Sequence, residues 1–459
     1  MKGDRKIYHK PYYPLRLKMR EKLPYIARLA PGKDFFEVEW LDNFCDFGHV
    51  LFYGIRGEDK KLSVDLTDNV VKIDGLLSNT DYEFYIENGN GEKSLVRYVR
   101  TGEIPTNTTV INYLHPDDTY YDYSGRYLCT PALARIGNRL VAGMDVYGPN
   151  TAQNLVLLFK SDDDGKTWRY LNELSPFYWA TLFVHKDKLY AFGATTEYGD
   201  LQIISSNDFG ETWSKPTVLF YGAGGKSGYG GNHRAPMHFT EYNGRLYTSC
   251  EWAGYKENLP MVVSVGVDDD LMDEKNWIRS EPVLFEGKWK EDCLGKEGDC
   301  IEGNLTVVDG ELYNIVRWKM GEFVRFRVNT LDLDAPLEYV GIEKAPVSNS
   351  MFRFVPYKDG FVFITNRRGD GAKDSDCWSY RNVLSVYFTK DTKNFKWLND
   401  LFNYQDIDPK KIGFQYPSPL LYGDKLRLVI RSAFNEPSNF HNSNYVLYCE
   451  IDPNSGKYL

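Results

Sequence analysis

Arg317, Arg367 and Arg431 each follow an apolar run at a matching place in a repeated pattern. Converging guanidiniums are forked, permanently charged donors suited to a carboxylate or another oxyanion. Glu251 and Glu302 stand at neighbouring places in the same pattern, and Asp145 lies near them in register. Carboxylates facing arginines, with Trp179 and Tyr416 as stacking rings, are equipment for cleaving a sugar: proton transfer, anion binding and ring contact. His233-Arg234 is a second centre, because an imidazole exchanges protons near neutral pH. Gln415 and His441 complete the polar set. Loops are polar in any protein, but arginine recurring at one repeat position beside glutamates is not a property of loops in general.

The elements that must hold these residues are short strands. From about residue 111 the chain repeats a unit of apolar strand, tight turn, second strand, loop and third strand. CTPALARIGNRLVAGMDVYG followed by NLVLLFKSDDDGKTW is one copy, and WATLFVHKDKLYAFGATTEYG followed by DLQIISSNDFGETW is the next. Further strand pairs open at RAPMHFTEY, NLTVVDGEL, SMFRFVPYKDG and YPSPLLYGDK, making six units suited to four-stranded blades. Such a ring has one privileged site, the mouth of its central channel, lined by residues before each inner strand and after each second strand. All of the candidates above fall at such positions. The segment Val110–Leu114 is placed to close the ring as the outer strand of the last blade. The expected fold is therefore all-β, a six-bladed β-propeller over residues 104–459.

Ahead of it, residues 20–103 alternate in short strands separated by turn residues, which reads as a small β-sandwich, with residues 1–19 as an extension. Its segment Leu76-Leu77-Ser78-Asn79-Thr80-Asp81-Tyr82-Glu83-Phe84 resembles the fibronectin type III run L-x-P-x-T-x-Y-x-F, with Ser78 in the proline's place. That resemblance implies a tyrosine that pins a corner of the sandwich.

Two units end in Ser161-x-Asp163-x-Gly165-x-Thr167-Trp168 and Ser206-x-Asp208-x-Gly210-x-Thr212-Trp213, and Thr389-x-Asp391 with Trp397 is a decayed third copy. These match the Asp-box turn S-x-D-x-G-x-T-W, and the chain resembles the sialidase-like propellers that carry it. The run Glu302-Gly303-Asn304-Leu305, followed by Arg317, is similar to that family's glutamate and arginine segment. Tyr416-Pro417-Ser418-Pro419-Leu420 is similar to the segment that bears its tyrosine. The resemblance implies that Tyr416 is a nucleophile, Glu302 the base that activates it and Arg317 part of an anion clamp. Three departures stand out. The family's F-R-I-P opening reads Leu128-Cys129-Thr130-Pro131, its general-acid aspartate has no sure counterpart in Asp145, and Arg431 occupies the place of an expected glutamate.

Composition excludes more than it selects. A net charge of −9 disfavours nucleic acid and anionic membrane as partners. No apolar run is long enough to span a bilayer, and the basic N-terminus lacks the apolar core of a secretory leader, so the chain reads as cytoplasmic as written, or secreted where a leader has been removed. Seven cysteines form neither a disulfide framework nor a zinc motif; Cys293 and Cys300 are the one pair close in sequence. No phosphate-binding loop, dinucleotide fingerprint, nucleophile elbow or zincin motif occurs, so no cofactor or metal is expected. The expectation is an exo-acting glycoside hydrolase on an acidic or deoxy sugar terminus, with a carbohydrate as partner. A polysaccharide lyase acting on a uronate, with His233 or Tyr416 removing a proton, and a non-catalytic carbohydrate-binding propeller remain open.

Overall fold

A computed structural model describes residues 23–149, 151–222, 230–253, 258–293, 300–369 and 380–459; the extension expected at residues 1–19 lies outside them. Six sheets form the blades of a β-propeller. Blade 1 runs through strands Tyr127–Ile136, Arg139–Tyr147, Val156–Ser161 and Arg169–Leu174, and blade 2 through Tyr178–His185, Lys188–Ala194, Leu201–Ser206 and Thr217–Phe220. Blade 4 (Ile301–Val308, Glu311–Lys319, Glu322–Arg327, Glu338–Lys344) and blade 5 (Arg353–Tyr357, Gly360–Asn366, Val383–Thr389, Lys396–Asn403) repeat the same antiparallel order. Blade 6 (Gly413–Tyr422, Lys425–Ala433, Tyr445–Ile451) takes its outer strand, Thr109–Tyr113, from the start of the ring, where Tyr113 pairs with Tyr445.

Blade 3 departs from the pattern. Its inner strand is broken into Gly231–His233 and Thr240–Tyr242, both paired to Arg245–Ala253. Pro236, which has no N–H to give a ladder, sits in the gap. The freed carbonyls of Pro236 and Met237 instead accept from the buried guanidiniums of Arg353 at 2.7 Å and Arg234 at 3.2 Å.

Burial explains why the strands read as they do. In the blades both faces are covered by neighbours, so Arg139–Tyr147 is buried at every interior position. Ahead of the ring, a three-stranded sheet (Tyr25–Pro31, Phe35–Leu41, Val70–Asp74) faces a four-stranded one (Val50–Ile55, Leu62–Asp65, Asp81–Glu87, Arg97–Arg100). There Asp81–Glu87 alternates between buried and half-buried, as a strand with one covered face must. Phe36 of one sheet stacks on Phe84 of the other at 5.2 Å, and Leu77 N–H donates to the Tyr82 hydroxyl at 2.9 Å, tying down a corner. In the loop after Phe35–Leu41, Asp42, Cys45 and His49 bring one ligand-type atom each within 4.8 Å. The Asp42 carboxylate is already engaged by the N–H groups of Phe44 and Cys45, by the Asn88 amide and by His49.

The two S-x-D-x-G-x-T-W turns are superimposable in their bonding. Ser161 Oγ donates to Asp163 and accepts from Gly165 N–H, both at 2.8 Å, and Asp163 accepts Thr167 N–H at 2.9 Å. Ser206, Asp208, Gly210 and Thr212 repeat these bonds at the same three distances. Gly165 and Gly210 take φ of 89° and 91°, open to glycine without strain. Trp168 is buried and meets Tyr448 of blade 6 at 5.3 Å, so the turn of blade 1 also seals the last joint of the ring.

Candidate active site

Four inner strands carry the same defect at the same level. In blades 1, 2, 4 and 6 two inner-strand residues oppose one residue of the second strand: Cys129-Thr130 against Asp145, Trp179-Ala180 against Gly193, Glu302-Gly303 against Val316, and Tyr416-Pro417 against Ile430. A bulge of this kind bends the strand and re-aims a side chain. Trp179, Glu302 and Tyr416 lie at positive φ (53°, 63° and 55°), a region costly for residues with a Cβ. Three strained residues at equivalent positions all line one cavity. That cavity, of about 540 Å³, is lined by Trp179, His233, Arg234, Glu302, Arg317, Tyr416, Arg431 and His441, together with Cys129, Tyr147, Tyr178, Glu197, Asn349 and Arg381.

On one side of the cavity stands a buried triad. The Tyr416 hydroxyl donates to Glu302 in a very short hydrogen bond, and Arg317 donates to the same carboxylate at 2.7 Å and to the Tyr416 oxygen at 3.3 Å. Gly303 allows the close pass: a Cβ there would collide with Asn314 and Ser249. Two more guanidiniums lie by the Tyr416 ring, Arg431 at 5.1 Å and Arg381 at 5.6 Å from its centroid. Burial, and then the Glu302 charge, push the Tyr416 phenol up to about 12, while Arg317, Arg381 and Arg431 pull the other way. At rest the tyrosine is therefore neutral and has its proton on a hydrogen bond to a carboxylate.

Arg431 donates to the Cys129 sulfur at 3.1 Å and to Ser443 Oγ at 3.2 Å. Its guanidinium, rooted in blade 6, thus reaches across to the bulge of blade 1. Arg381 is fixed by Gln415 and by the Asn349 carbonyl at 3.1 Å, and burial draws it down to about 10.

On another side, His233 Nδ1 lies 2.8 Å from Glu251, whose side chain is 1% exposed. The ring is edged by Trp179 at 4.5 Å and Tyr198 at 5.9 Å. Glu251 fixes the ring's orientation, which leaves Nε2 as the nitrogen for exchange with a ligand. His441 is different: burial, then Arg431 and Arg381, hold it well below the usual histidine range, and it contacts Arg431 Nη2 at 3.4 Å as a neutral ring.

Four residues expected at the surface of the mouth stand elsewhere. Arg367 turns away and makes a two-pronged pair with Asp400 at 3.1 and 2.8 Å, because Asp400 on the outermost strand of its own blade is the nearer anion. Glu251 lies behind His233 and does not line the cavity. Asp145 is wholly buried, accepting from Thr130 Oγ1 and from Trp179 N–H at 2.9 Å; burial pushes its carboxyl up to about 7 against these hydrogen bonds. It shapes the bulges of blades 1 and 2. Gln415 is spent on Arg381 and on the Phe440 carbonyl at 2.6 Å. Arg234 lines the cavity but is bound by Phe192 O at 2.9 Å and Thr181 Oγ1 at 2.8 Å, a wedge in the channel more than a free cation.

Arg381 is the main residue that the positional rule passed over. It precedes a third strand, Val383–Thr389, whereas the rule looked before first strands and after second ones. The detectable signal was an arginine opening an apolar run, Arg381-Asn382-Val383-Leu384.

No family model matches the chain, and no curated relative does. Among solved structures, a Penicillium chrysogenum α-L-arabinanase complexed with arabinobiose aligns over 77% of this chain and 100% of its own, at 13% identity and a TM-score of 0.50. A Fusarium graminearum GH93 α-L-arabinofuranosidase with arabinobiose aligns over 75% and 98%, at 13% and 0.49. A Trypanosoma rangeli sialidase aligns over 79% of this chain and 56% of its own, at 15% and 0.47. At 13% identity the first match speaks for the fold: this chain shares the β-propeller architecture of the arabinanase.

Proposed function

We propose that the mouth is the active site of an exo-acting, retaining glycoside hydrolase that removes a sugar bearing a carboxylate from a chain end. The observation that carries this reading is the Tyr416 hydroxyl donating to Glu302 beneath three guanidiniums. Arg317, Arg381 and Arg431 hold the substrate anion, with charge-assisted hydrogen bonds that fix the ring over Tyr416. The Tyr416 oxygen attacks the anomeric carbon while its proton passes to Glu302, and the bond to the leaving oxygen breaks. His233, oriented by Glu251, gives that oxygen its proton. In the second half, His233 takes a proton from water, the water oxygen displaces the tyrosine, and Glu302 returns the phenolic proton. In the glycosyl-tyrosine intermediate, an aryl glycoside, the Tyr416 phenolate is a modest leaving group, and the nearby guanidiniums stabilise it as it departs.

The leaving-group test addresses the acid directly. His233→Gln should cut turnover of an alkyl glycoside about a hundredfold or more, and that of a dinitrophenyl glycoside far less, because the latter needs no proton. Equal losses on both would remove His233 from the role. A uronate lyase is the second reading, supported by His233 lining the same cavity as Tyr416. It would generate a conjugated double bond, so ultraviolet absorbance of the product separates the two: hydrolysis leaves it flat.

A further inference from the structure

Arg353 opens the inner strand of blade 5 and is 1% exposed. Its hydrogen bonds go to two proline carbonyls and a thioether. Nε donates to Pro417 O at 3.1 Å and Nη2 to Pro236 O at 2.7 Å, while Nη1 lies against the Met237 sulfur, a weak acceptor. Among the described residues it makes no ion pair with a carboxylate. Burial draws the guanidinium down to about 10, with Glu302 and Tyr416 acting against this, so it stays a cation at neutral pH. A buried cation without a carboxylate partner is costly where apolar volume would serve. Apolar volume is at hand, since Ala235, Met237 and Met351 pack with Tyr416 in one buried cluster.

Both carbonyls come from interruptions of an inner strand. Pro236 lies in the gap of blade 3, and Pro417 is the second residue of the blade 6 bulge, directly after Tyr416. Blades 3 and 6 stand opposite each other in the ring, so a side chain of blade 5 bonded to both bridges the channel. Thr130, Trp179 and Tyr416 line the mouth, whereas Ala132, Thr181 and Ser418, two residues further along the same strands, line a separate cavity of about 180 Å³. Arg353 and Pro236 line that lower cavity and not the mouth. Tyr416 holds φ at 55°, a conformation that a residue with a Cβ keeps only where its surroundings fix it. Pro417 brings no N–H to the ladder, and its carbonyl bond to Arg353 ties the bulge from below. A planar fork is the side chain suited to hold two such acceptors at once.

We propose that Arg353 is a positioning residue, which never touches substrate: by holding the Pro417 carbonyl against that of Pro236 it sets the aim of the Tyr416 hydroxyl at Glu302 and at the anomeric carbon. This rests on Tyr416 being the nucleophile of the mouth. Arg353→Met, which keeps volume but removes the fork, and Arg353→Lys, which keeps a charged donor, test it beside Tyr416→Phe in the full chain. Turnover is read on 4-nitrophenyl glycosides of glucuronic, galacturonic and N-acetylneuraminic acid, and Kd by calorimetry with the free sugar acids. Arg353→Met should lower kcat about a hundredfold, the scale of an ångström's misplacement, with Kd within about threefold of wild type. Arg353→Lys should recover about tenfold of that loss. A brace for the ring alone would instead lower Tm and leave kcat of the folded fraction unchanged, which overturns the proposal, as does a loss carried by Kd with kcat kept. Should Arg353→Met not fold, Arg353→Lys decides by itself: reduced kcat with Kd kept supports the pin, and wild-type kcat overturns it. If Tyr416→Phe keeps wild-type turnover, or the wild-type chain cleaves none of the three glycosides, the reading of the mouth fails and the pin falls with it.

Discussion

The two ends of the blades are built to opposite rules. At the mouth, inner strands bulge and put Trp179, Glu302 and Tyr416 into positive φ without glycine's freedom. At the other end, the serine–aspartate turns of blades 1 and 2 use glycine where φ is positive and satisfy each nearby donor with a side chain. One end is strained, buried and crowded with charge; the other is relaxed and repetitive. Strain persists only where surrounding structure over-determines it. In this ring the regular turns and closely packed blades supply that support, and the mouth uses it.

The contrast is sharpest at Tyr416. Tyr416→Phe keeps the Glu302–Arg317 pair and the ring packing but removes the attacking oxygen, so kcat should fall at least about a thousandfold while ligand binding survives. Unchanged turnover would put the chemistry elsewhere. Next in size is the anion clamp. Arg381→Ala should raise Kd or KM for an acidic sugar about ten- to a hundredfold, the loss of a buried charge-assisted pair worth roughly 1.5–3 kcal/mol. Arg367→Ala, which breaks only the pair with Asp400, should leave binding of a monosaccharide ligand within about twofold. A reversed order between these two variants would restore Arg367 to the mouth and break the assignment.

The far end should respond in the opposite sense. Asp163→Ala or Asp208→Ala removes the acceptor of a turn and should cost about 1 kcal/mol, seen as a drop of a few degrees in Tm with kcat/KM unchanged. The smallest effect is in acid. Hydrogen bonds from Thr212 and Ser206 depress Asp208 to about 2, below its unfolded value of about 3.9. Its contribution is therefore fully present above the unfolded value and is lost as pH falls through about 2. Denaturant titrations across that window should show a shallower acid limb for Asp208→Asn than for wild type.

How much of this was readable in the chain follows the same division. Turn residues, strand repeats and the closing strand are local features, and local features survive in sequence. Glu302, Arg317 and Tyr416 were legible because each flanks an apolar strand at the mouth end of its repeat and stands in a run similar to a known propeller family's; the bulges that aim Glu302 and Tyr416 were not. Position in the repeat selected Arg367 and passed over Arg381, the reverse of what the fold does. Which of them faces the axis depends on Asp400, on the outermost strand of their blade, and on Gln415, in the next blade. Cys129 and Arg431 looked like two losses when read one at a time. Only the structure brings them together, with the Arg431 guanidinium of blade 6 donating to the Cys129 sulfur of blade 1 at 3.1 Å. The burial of Asp145 and Glu251 was equally invisible, since periodicity says which face a side chain takes and not what will lie over it.

The strand that closes the ring has a consequence in time. Tyr113 must wait for Tyr445, 332 residues later (445 less 113). At a synthesis rate of about 5–20 residues per second, roughly 17–66 s separate the emergence of the two partners. Throughout that interval Thr109–Tyr113 has no ladder partner in blade 6. The strands of the sheet ahead of it are synthesised earlier, and in the finished fold Arg28 donates to the Ile111 carbonyl at 2.8 Å and Leu29 N–H to Asn112 at 3.2 Å. The earlier-made strand Tyr25–Pro31 thus offers this edge a berth until Tyr445–Ile451 emerges, and the ring closes onto a strand held in place.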